Sequence, residues 1–196
     1  MSNESIRLLK QCARVELRSR LTALTALQRD VASKAIVGHL INADLWSRAR
    51  CVLLYAAFAD EPSLAPLAAD ALARGVVAAL PRVEADGRMS FRRVESLDER
   101  SWSVDACGVR APNGEELLIG AFDFIAVPGV GFAADGMRLG RGKGYYDRLL
   151  ASLPTETTTV GIAFACQIRN RLPIESHDAR VRWIATEDGV FKSVLS

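Results

Sequence analysis

The chain has 196 residues, of which 49% are hydrophobic and 24% charged, a length and composition that predict one globular domain, residues 1–196, with a sizeable core. The net charge of +2 is too small to indicate a nucleic-acid-binding protein, and the four cysteines form no C-x-x-C pair that would indicate zinc or redox chemistry. We find no apolar run of about 18 residues and no signal-peptide pattern, so we expect no membrane span and a cytoplasmic protein.

The N-terminal part of the chain predicts two helices. Residues 5–22 carry leucines at helical spacing, and the sequence Thr25-Ala-Leu-Gln28 is a capping box that opens a second helix. The buried side of this second helix would contain Ala32, Ile36 and Leu40, and His39 is interpreted as a structural residue.

A strand, a helix and a second strand follow. Residues 50–56 form a short apolar run typical of a buried strand, residues 64–74 are helical with Gly75 just after the end, and residues 76–80 form a strand that Pro81 should end. This order implies a right-handed parallel crossover. Ligands of such sheets bind beyond the carboxyl ends of the strands, where Glu61 and a later glycine-rich loop should lie.

The rest of the chain predicts further strands and one more helix. Residues 89–94 alternate as an edge strand would, and residues 97–116 are polar and irregular. Strands are predicted at residues 122–127, 158–164 and 180–186, and a helix at residues 145–153. We therefore predict an α/β fold with a mixed, mostly parallel sheet and helices on both faces.

A glycine-rich stretch, residues 129–147, links the strand at 122–127 to the helix at 145–153. It contains six of the 14 glycines, interleaved with Arg138, Arg141 and Lys143. Glycines let several backbone N–H groups point into one concavity, and a helix N-terminus adds partial positive charge. This combination favours a phosphate-binding loop over a solvated surface turn.

Two common phosphate-binding patterns do not fit this loop. The P-loop pattern fails because Met137 replaces its first glycine and Gly144 replaces its hydroxyl residue. The dinucleotide pattern fails because Tyr145 occupies the place of its third glycine.

The block Arg138-Leu-Gly-Arg-Gly-Lys-Gly-Tyr-Tyr-Asp147, preceded by Val127-Pro-Gly129, Phe132 and Gly136, resembles the signature of the 5-formyltetrahydrofolate cyclo-ligase family. The block is long and specific, and the resemblance spans nearly the whole chain. Further similar segments are Lys10 and Arg14, residues 55–61, 80–82 and 108–112, Gln167, Leu172-Pro173, and His177-Asp178.

The resemblance implies a Rossmann-like domain that consumes ATP, with Mg²⁺, to convert 5-formyltetrahydrofolate into 5,10-methenyltetrahydrofolate. In this reaction the formyl oxygen is phosphorylated, N10 then closes the ring, and phosphate leaves with ADP as the other product. The resemblance further implies a monomer whose partner is the small-molecule folate, with no nucleic acid and no membrane.

The resemblance also implies a role for individual residues. Lys143 and Arg141 would be catalytic, neutralising charge on the transferring phosphoryl group, and Asp147 would be the metal ligand. ATP would be held by Lys10, Arg14, Arg138, Leu139, Gly140, Arg141, Gly142, Lys143, Gly144, Tyr145 and Tyr146. Folate would be held by Ala56, Glu61, Arg141, Gly142, Lys143, Gly144 and Tyr145, with Glu61 accepting two hydrogen bonds from the pterin N–H edge.

Without the resemblance, the same residues have simpler interpretations. Lys10, Arg14 and Arg18 recur every four residues, as on a solvated helix face, and Glu61 would be a solvated loop carboxylate. Tyr145 and Tyr146 could anchor their helix in the core, and Asp147 would be a favourable charge in a first helical turn.

Two departures from the family pattern leave other functions open. A second family aspartate aligns with Arg182, and an aspartate that often follows the Phe132 position is Ala133 here, with Asp135 and Asp178 as the nearest acids. One alternative is therefore an impaired folate- or nucleotide-binding homologue, which Arg182 favours. A weaker alternative is a phosphosugar isomerase or transferase, which would need Asp147 or Glu61 as a base.

Overall fold

The computed structural model describes residues 3–175 and 178–194, and its centre is a seven-stranded sheet. The strand order across this sheet is β12-β11-β9-β6-β1-β2-β3. Its strands are β1 (Cys51–Leu53), β2 (Val77–Val83), β3 (Met89–Arg93), β6 (Phe124–Pro128), β9 (Thr158–Ile162), β11 (Trp183–Thr186) and β12 (Gly189–Lys192). The five inner strands are parallel, and β3 and β12 pair antiparallel at the two edges.

Helices cover both faces of this sheet, and alternate strand residues point to one face or the other. The helices are α1 (Asn3–Ala23), α2 (Ala26–Ile41), α3 (Asp44–Ser47), α4 (Ala65–Ala73) and α5 (Tyr145–Ala151). Val52 and Phe124 pack with the buried residues of α2, α3 and α4, whereas their neighbours Leu53 and Ile125 point into a second cluster that contains Leu149 of α5. Because both faces are covered, the central strands β1 and β6 are continuous apolar runs.

A small second sheet and α1 complete the α5 side of the molecule. β7 (Gly131–Ala133) and β8 (Arg138–Leu139) form a hairpin that pairs with β10 (Ile168–Arg169). α1 packs on this hairpin through Ala13 and Leu17. The predicted fold class, a mixed and mostly parallel sheet with helices on both faces, is confirmed.

The predicted helix starts and stops agree with the structure. Thr25 caps α2 and forms the capping box with Gln28, and Gly75 follows α4 in the left-handed conformation with φ of 72°. Ile36 and Leu40 are buried under α2, while Ala32 is partly buried.

The prediction that Pro81 ends the second strand is wrong, because β2 continues to Val83. Pro81 lies opposite Phe91 of β3, and on its other side β1 has already ended. The backbone N–H of Val83 points away from β3 and donates to Asp105. Backbone N–H groups along a strand point alternately to its two sides, so the nitrogen of Pro81, two residues before Val83, also points away from β3. No hydrogen bond between β2 and β3 is therefore lost at this proline.

Three pairs of short strands were not predicted correctly. The strand predicted at residues 180–186 begins only at Trp183, and β12, which follows it, was not predicted. The irregular region at 97–116 contains β4 (Ser103–Val104) and β5 (Arg110–Ala111), and the glycine-rich stretch contains β7 and β8. β4, β5, β7 and β8 have only two or three residues each, which is too short for an alternation pattern to be recognised.

The strand order reverses at β1. From β1 the chain first adds β2 on one side and later adds β6, β9 and β11 on the other. The loops after β1 and β6 therefore diverge and leave a crevice at the carboxyl edge, which is where open parallel sheets bind ligands. Over the described residues, no helix is both long and apolar enough to cross a membrane.

Candidate active site

A cavity of about 400 Å³ lies at this crevice. Tyr55 and Ala56, which follow β1, form one wall, and Pro128 and Gly129 at the end of β6 form another. Eleven of the residues predicted for the site line it: Ala56, Glu61, Arg138, Gly140, Arg141, Gly142, Lys143, Gly144, Tyr145, Tyr146 and Asp147. The structure thus brings together residues that are up to about 90 positions apart in the sequence.

The glycine-rich loop approaches the cavity with its backbone. A Cβ atom at Gly140 would lie 2.7 Å from the Arg138 guanidinium, so any other residue here would have to displace this guanidinium from its place under the loop. Gly142 and Gly144 have φ values of 102° and 70°, which side chains other than glycine rarely adopt. Gly144 precedes the first residue of α5, and no side chain caps this helix.

The buried Arg138 and the partly buried Asp147 form an ion pair beneath the loop. Nη2 of Arg138 donates to Oδ1 of Asp147 at 2.6 Å, and Nη1 donates to the carbonyl oxygen of Pro128 at 3.1 Å. The Arg138 guanidinium also lies 5.7 Å from the centre of the Tyr146 ring. Its charge is therefore largely used within the protein, and it fixes the position of Asp147.

Arg141 bridges two carboxylates on the opposite wall. It donates from Nε and Nη2 to Oε1 of Glu61 at 3.1 and 3.0 Å, and from Nη2 to Oδ1 of Asp60 at 2.6 Å. Its guanidinium lies 4.8 Å from the centre of the Phe58 ring. The other oxygen of Glu61 accepts from the backbone N–H of Phe58 at 3.1 Å.

Glu61 is buried although it is charged. Only 6% of its side chain is exposed, against 38% for Asp60. Burial raises the pKa of the Glu61 carboxyl above the ordinary 4.5, although the Phe58 N–H and the Arg141 guanidinium both act in the opposite direction. The charge of Glu61 in turn adds to burial in raising the pKa of the Tyr55 and Tyr146 hydroxyls.

Lys143 is exposed at the mouth of the cavity. Its ammonium group lies 3.6 Å from the sulfur of Cys107, and no ion pair joins it to a carboxylate of the described residues. Among the three cations of the loop, Lys143 is therefore the one whose charge is available to an incoming anion.

Three predicted site residues lie outside the cavity wall. Lys10 is 6% exposed, and its ammonium group contacts Glu175 and Asp178, each at 2.6 Å. Arg14 donates to the carbonyl oxygen of Gly140 at 2.9 Å, so it holds the glycine loop from behind. Leu139 is buried in the small cluster under α1.

The acids that could replace the missing family aspartates are not at the cavity. Asp178 pairs with Lys10, and Asp135 accepts from the backbone of Met137 in the β7–β8 turn. Arg182 immediately precedes β11 at the amino edge of the sheet, where it donates to the carbonyl oxygen of Thr155. His177, named in the resemblance, lies outside the described residues.

Three further residues support the site without having been assigned a role from the sequence. Gln167 is fully buried and donates to the carbonyl oxygens of Gly129 and Val130, at 2.9 and 3.1 Å, where the glycine stretch begins. Phe58 and Asp60 position Arg141. Asp60 is next to Glu61 in the sequence, but two adjacent acids do not by themselves predict that both will contact the same arginine.

Comparison with known proteins agrees with this geometry. The model of the 5-formyltetrahydrofolate cyclo-ligase family matches residues 6–187. A mouse protein named 5-formyltetrahydrofolate cyclo-ligase is 30% identical over 190 residues, which cover 91% of this chain and 94% of that protein. A Haemophilus influenzae protein of the same name is 28% identical over 173 residues, with coverage of 86% and 92%.

Solved structures lead to the same family. The 5,10-methenyltetrahydrofolate synthetase of Aquifex aeolicus is similar with a TM-score of 0.82 and 35% identity, over 94% of this chain and 92% of that one. A Mycoplasma pneumoniae 5,10-methenyltetrahydrofolate synthetase has a TM-score of 0.72 at 23% identity, over 91% of this chain and 98% of that one, a likeness of fold. The chain belongs to the 5-formyltetrahydrofolate cyclo-ligase family.

Proposed function

We propose that the protein converts 5-formyltetrahydrofolate into 5,10-methenyltetrahydrofolate at the expense of ATP, which yields ADP and phosphate. The observation that carries this proposal is the cavity at the strand-order reversal, where a buried carboxylate faces a cationic glycine loop. A pterin with several N–H donors suits the carboxylate, and a phosphate chain suits the loop. We further propose that the enzyme acts as a monomer in the cytoplasm.

The folate side of the cavity is assigned to Glu61, Ala56 and Tyr145. Glu61 accepts hydrogen bonds from the amino group and the ring N–H of the pterin, and it is held in place by the N–H of Phe58. Ala56 lines the wall beside it, and Tyr145 packs against the bound ring. A buried acceptor discriminates strongly, because a ligand without the matching donors would leave it unpaired.

The phosphate side is assigned to the loop and its cations. Backbone N–H groups of residues 140–144 bind the phosphate oxygens, and Lys143 neutralises the charge of the phosphoryl group during transfer. Arg141 lies between the two sides, since it already contacts Glu61 and can share its remaining donors with phosphate. Lys10 and Arg14 act from behind the loop, where Arg14 supports Gly140.

Asp147 fits a magnesium ion only together with phosphates. Arg138 contacts one of its oxygens, and the described residues contain no cluster of three metal-ligating side chains. Mg²⁺ usually takes one or two carboxylates beside substrate phosphates and waters, so this donor set suits it. When bound, ATP and Mg²⁺ would supply the phosphoryl group and further charge neutralisation.

In this reaction the protein's main task is to position the two substrates. The γ-phosphoryl group is transferred to the formyl oxygen of N5, after which N10 attacks the formyl carbon and phosphate leaves with the oxygen. Both steps need the formyl group to face the loop while the pterin stays fixed at Glu61. Holding two reactants in this geometry is a large part of catalysis in phosphoryl transfer.

The alternative functions have less support. Arg182 favoured an impaired binding homologue, but it bonds to Thr155 at the amino edge, away from the cavity. A phosphosugar isomerase needs a free carboxylate base, whereas Glu61 pairs with Arg141 and Asp147 pairs with Arg138.

The test is the absorbance of 5,10-methenyltetrahydrofolate when the purified protein is mixed with 5-formyltetrahydrofolate, ATP and increasing Mg²⁺. We expect a rise that requires both ATP and Mg²⁺, and we expect Lys143→Ala to lose at least about 100-fold in kcat, as removal of one stabilising charge from a phosphoryl transition state does. Lys192→Ala, an exposed lysine on β12, is the matched control and should keep wild-type kcat. No product at any Mg²⁺ concentration would refute the proposal.

A further inference from the structure

A second cavity, of about 390 Å³, lies beside the candidate active site. It is formed by β3, by the stretch at residues 116–119 and by α5, and the buried side chains of Phe91 and Leu149 contribute to its wall. Met89 and Tyr145 line both cavities, so the two cavities meet at these side chains.

The wall of the second cavity is mainly apolar. Met89, Leu117 and Ile119 are only partly buried, although each packs against the core cluster that contains Leu149. Leu118, which also lines the cavity, is 80% exposed. Exposed apolar side chains that are grouped around a cavity are typical of a ligand-binding groove, and a flat ring would cover them.

The charge of this cavity is concentrated on one arginine. Arg88 is paired with Glu116, whose Oε1 lies 2.5 Å from its Nη1. Within the described part of the chain Arg148 forms no ion pair, and its guanidinium makes one long hydrogen bond, 3.4 Å, to the carbonyl oxygen of Lys143. The guanidinium lies 5.2 Å from the centre of the Tyr145 ring, where the two cavities meet. Most of its N–H donors are therefore available to a carboxylate.

The proposed substrate extends beyond the atoms that react. Its pterin is joined through N10 to an aminobenzoyl ring, and this ring carries a glutamate with two carboxylates. N10 must lie close to the formyl carbon, which faces the glycine loop, so the benzoyl ring leaves the active site near that loop. Tyr145 directly follows the loop as the first residue of α5, and it borders the second cavity.

We propose that the second cavity binds the aminobenzoyl-glutamate tail of the folate, with the benzoyl ring against Met89, Leu117 and Ile119 and a glutamate carboxylate on the Arg148 guanidinium. This inference rests on the proposed function and extends the folate site beyond the residues assigned above. An apolar groove followed by an unpaired cation matches a ring followed by carboxylates. A planar guanidinium can donate two parallel hydrogen bonds to one carboxylate, which suits this pairing.

The test compares 5-formyltetrahydrofolate with its glutamate diamide, in which both carboxylates are replaced by neutral amides. Calorimetry without ATP measures the Kd of each ligand for the wild type and for Arg148→Ala. We expect the variant to bind 5-formyltetrahydrofolate about fivefold more weakly, as the loss of one partly screened ion pair does, and to bind the diamide within about twofold of the wild type.

Arg50→Ala is the matched control. Arg50 is also exposed and precedes β1 at the amino edge of the sheet, so this variant makes the same change of net charge away from both cavities. It should keep the wild-type Kd for both ligands. Wild-type affinity for 5-formyltetrahydrofolate in Arg148→Ala, or an equal loss for the two ligands, would overturn this inference and leave the proposed function standing. A wild-type protein that neither binds nor converts 5-formyltetrahydrofolate would overturn the proposed function, and this inference with it.

Discussion

Glu61 shows how one side chain acquires its properties from the fold. In the sequence it is an acid in a polar loop, but in the structure it is buried and shares Arg141 with Asp60. Because Asp60 and Arg141 are each more than a third exposed, water screens their pair, and the buried contact with Glu61 is the stronger restraint on the arginine. The carboxylate that we propose to bind folate and the cation that we propose to bind phosphate are thus in direct contact.

This burial predicts the pH dependence of catalysis. In the proposed function, the carboxylate must be ionised to accept both pterin N–H groups, and burial raises the pKa of Glu61 above 4.5. As the pH falls, Glu61 takes up a proton before an exposed glutamate would, so kcat/KM for the folate should fall on an acid limb that lies above the ordinary glutamate range. Rates measured from about pH 8 down to about pH 5 would show this limb.

Glu61→Gln is the control for this assignment. The variant cannot ionise and should lose the acid limb, with kcat/KM lower by at least about tenfold at neutral pH because one acceptor is lost. If kcat/KM of this variant still fell at the same acid pH as that of the wild type, the group that titrates would be a residue other than Glu61. Enzyme-free reactions at each pH give the background of spontaneous ring closure.

The sequence predicted many of the residues that line the cavity, but it did not predict which side chains form ion pairs with one another. The block at 138–147 contains the loop cations and Asp147, and the structure places most of them around one cavity. Nothing in the sequence pairs Lys10 with Glu175 and Asp178, which are at least 165 positions away. Such contacts depend on how the hairpin and α1 pack, and no local pattern records that packing.

At the scale of elements, capping and periodicity were informative. The capping box of Thr25 and Gln28 is present, with the backbone N–H of Gln28 donating to Thr25 at 3.2 Å and that of Thr25 donating to Gln28 at 2.8 Å. Elements with such local signals were predicted within a few residues. Our prediction ended β2 too early, at Pro81. Proline is acceptable there because the neighbouring strand β1 has already ended, and the sequence does not show which strand pairs with β2 or where that strand ends.

The capping box predicts a measurable effect on stability. Thr25→Ala removes the acceptor for the Gln28 N–H and should lower the free energy of unfolding by about 1 kcal/mol. Thr22→Ala is the matched control, because Thr22 is exposed and its hydroxyl only bonds back to Ser19 within the last turn of α1. Denaturant unfolding would measure both, with about 0.5 kcal/mol or less expected for the control. Equal losses would show that the cap contributes nothing specific.

At the scale of the whole molecule, the parallel sheet places the candidate site at its carboxyl edge, away from its amino edge. The cavity lies at the carboxyl edge, and Arg182 lies at the amino edge, where its backbone N–H donates to the hydroxyl of Thr159 at 3.0 Å. The order of strands and helices in the sequence predicted the crevice, since a parallel sheet binds ligands at its carboxyl edge. It did not predict to which edge each later residue belongs.

This separation predicts that Arg182 has no role in metal binding. Arg182→Ala should keep the wild-type kcat and the wild-type Mg²⁺ concentration for half-maximal rate. Asp147→Asn, at the cavity, should raise that Mg²⁺ concentration several-fold, since it removes a carboxylate charge beside the phosphates. A Mg²⁺ titration of the initial rate would compare the two. A changed Mg²⁺ requirement in Arg182→Ala would place the metal elsewhere.

The packing of α1 has a consequence for synthesis of the chain. Most of the contacts that hold this helix come from residues after Gly129, namely the β7–β8 hairpin, Arg169 through Glu16, and the acids that enclose Lys10. Chains emerge from the ribosome N-terminus first and fold as their partners appear. The first helix to be made is therefore among the last to dock, and a nascent chain that has been made only as far as Gly129 would carry an α1 that lacks these contacts.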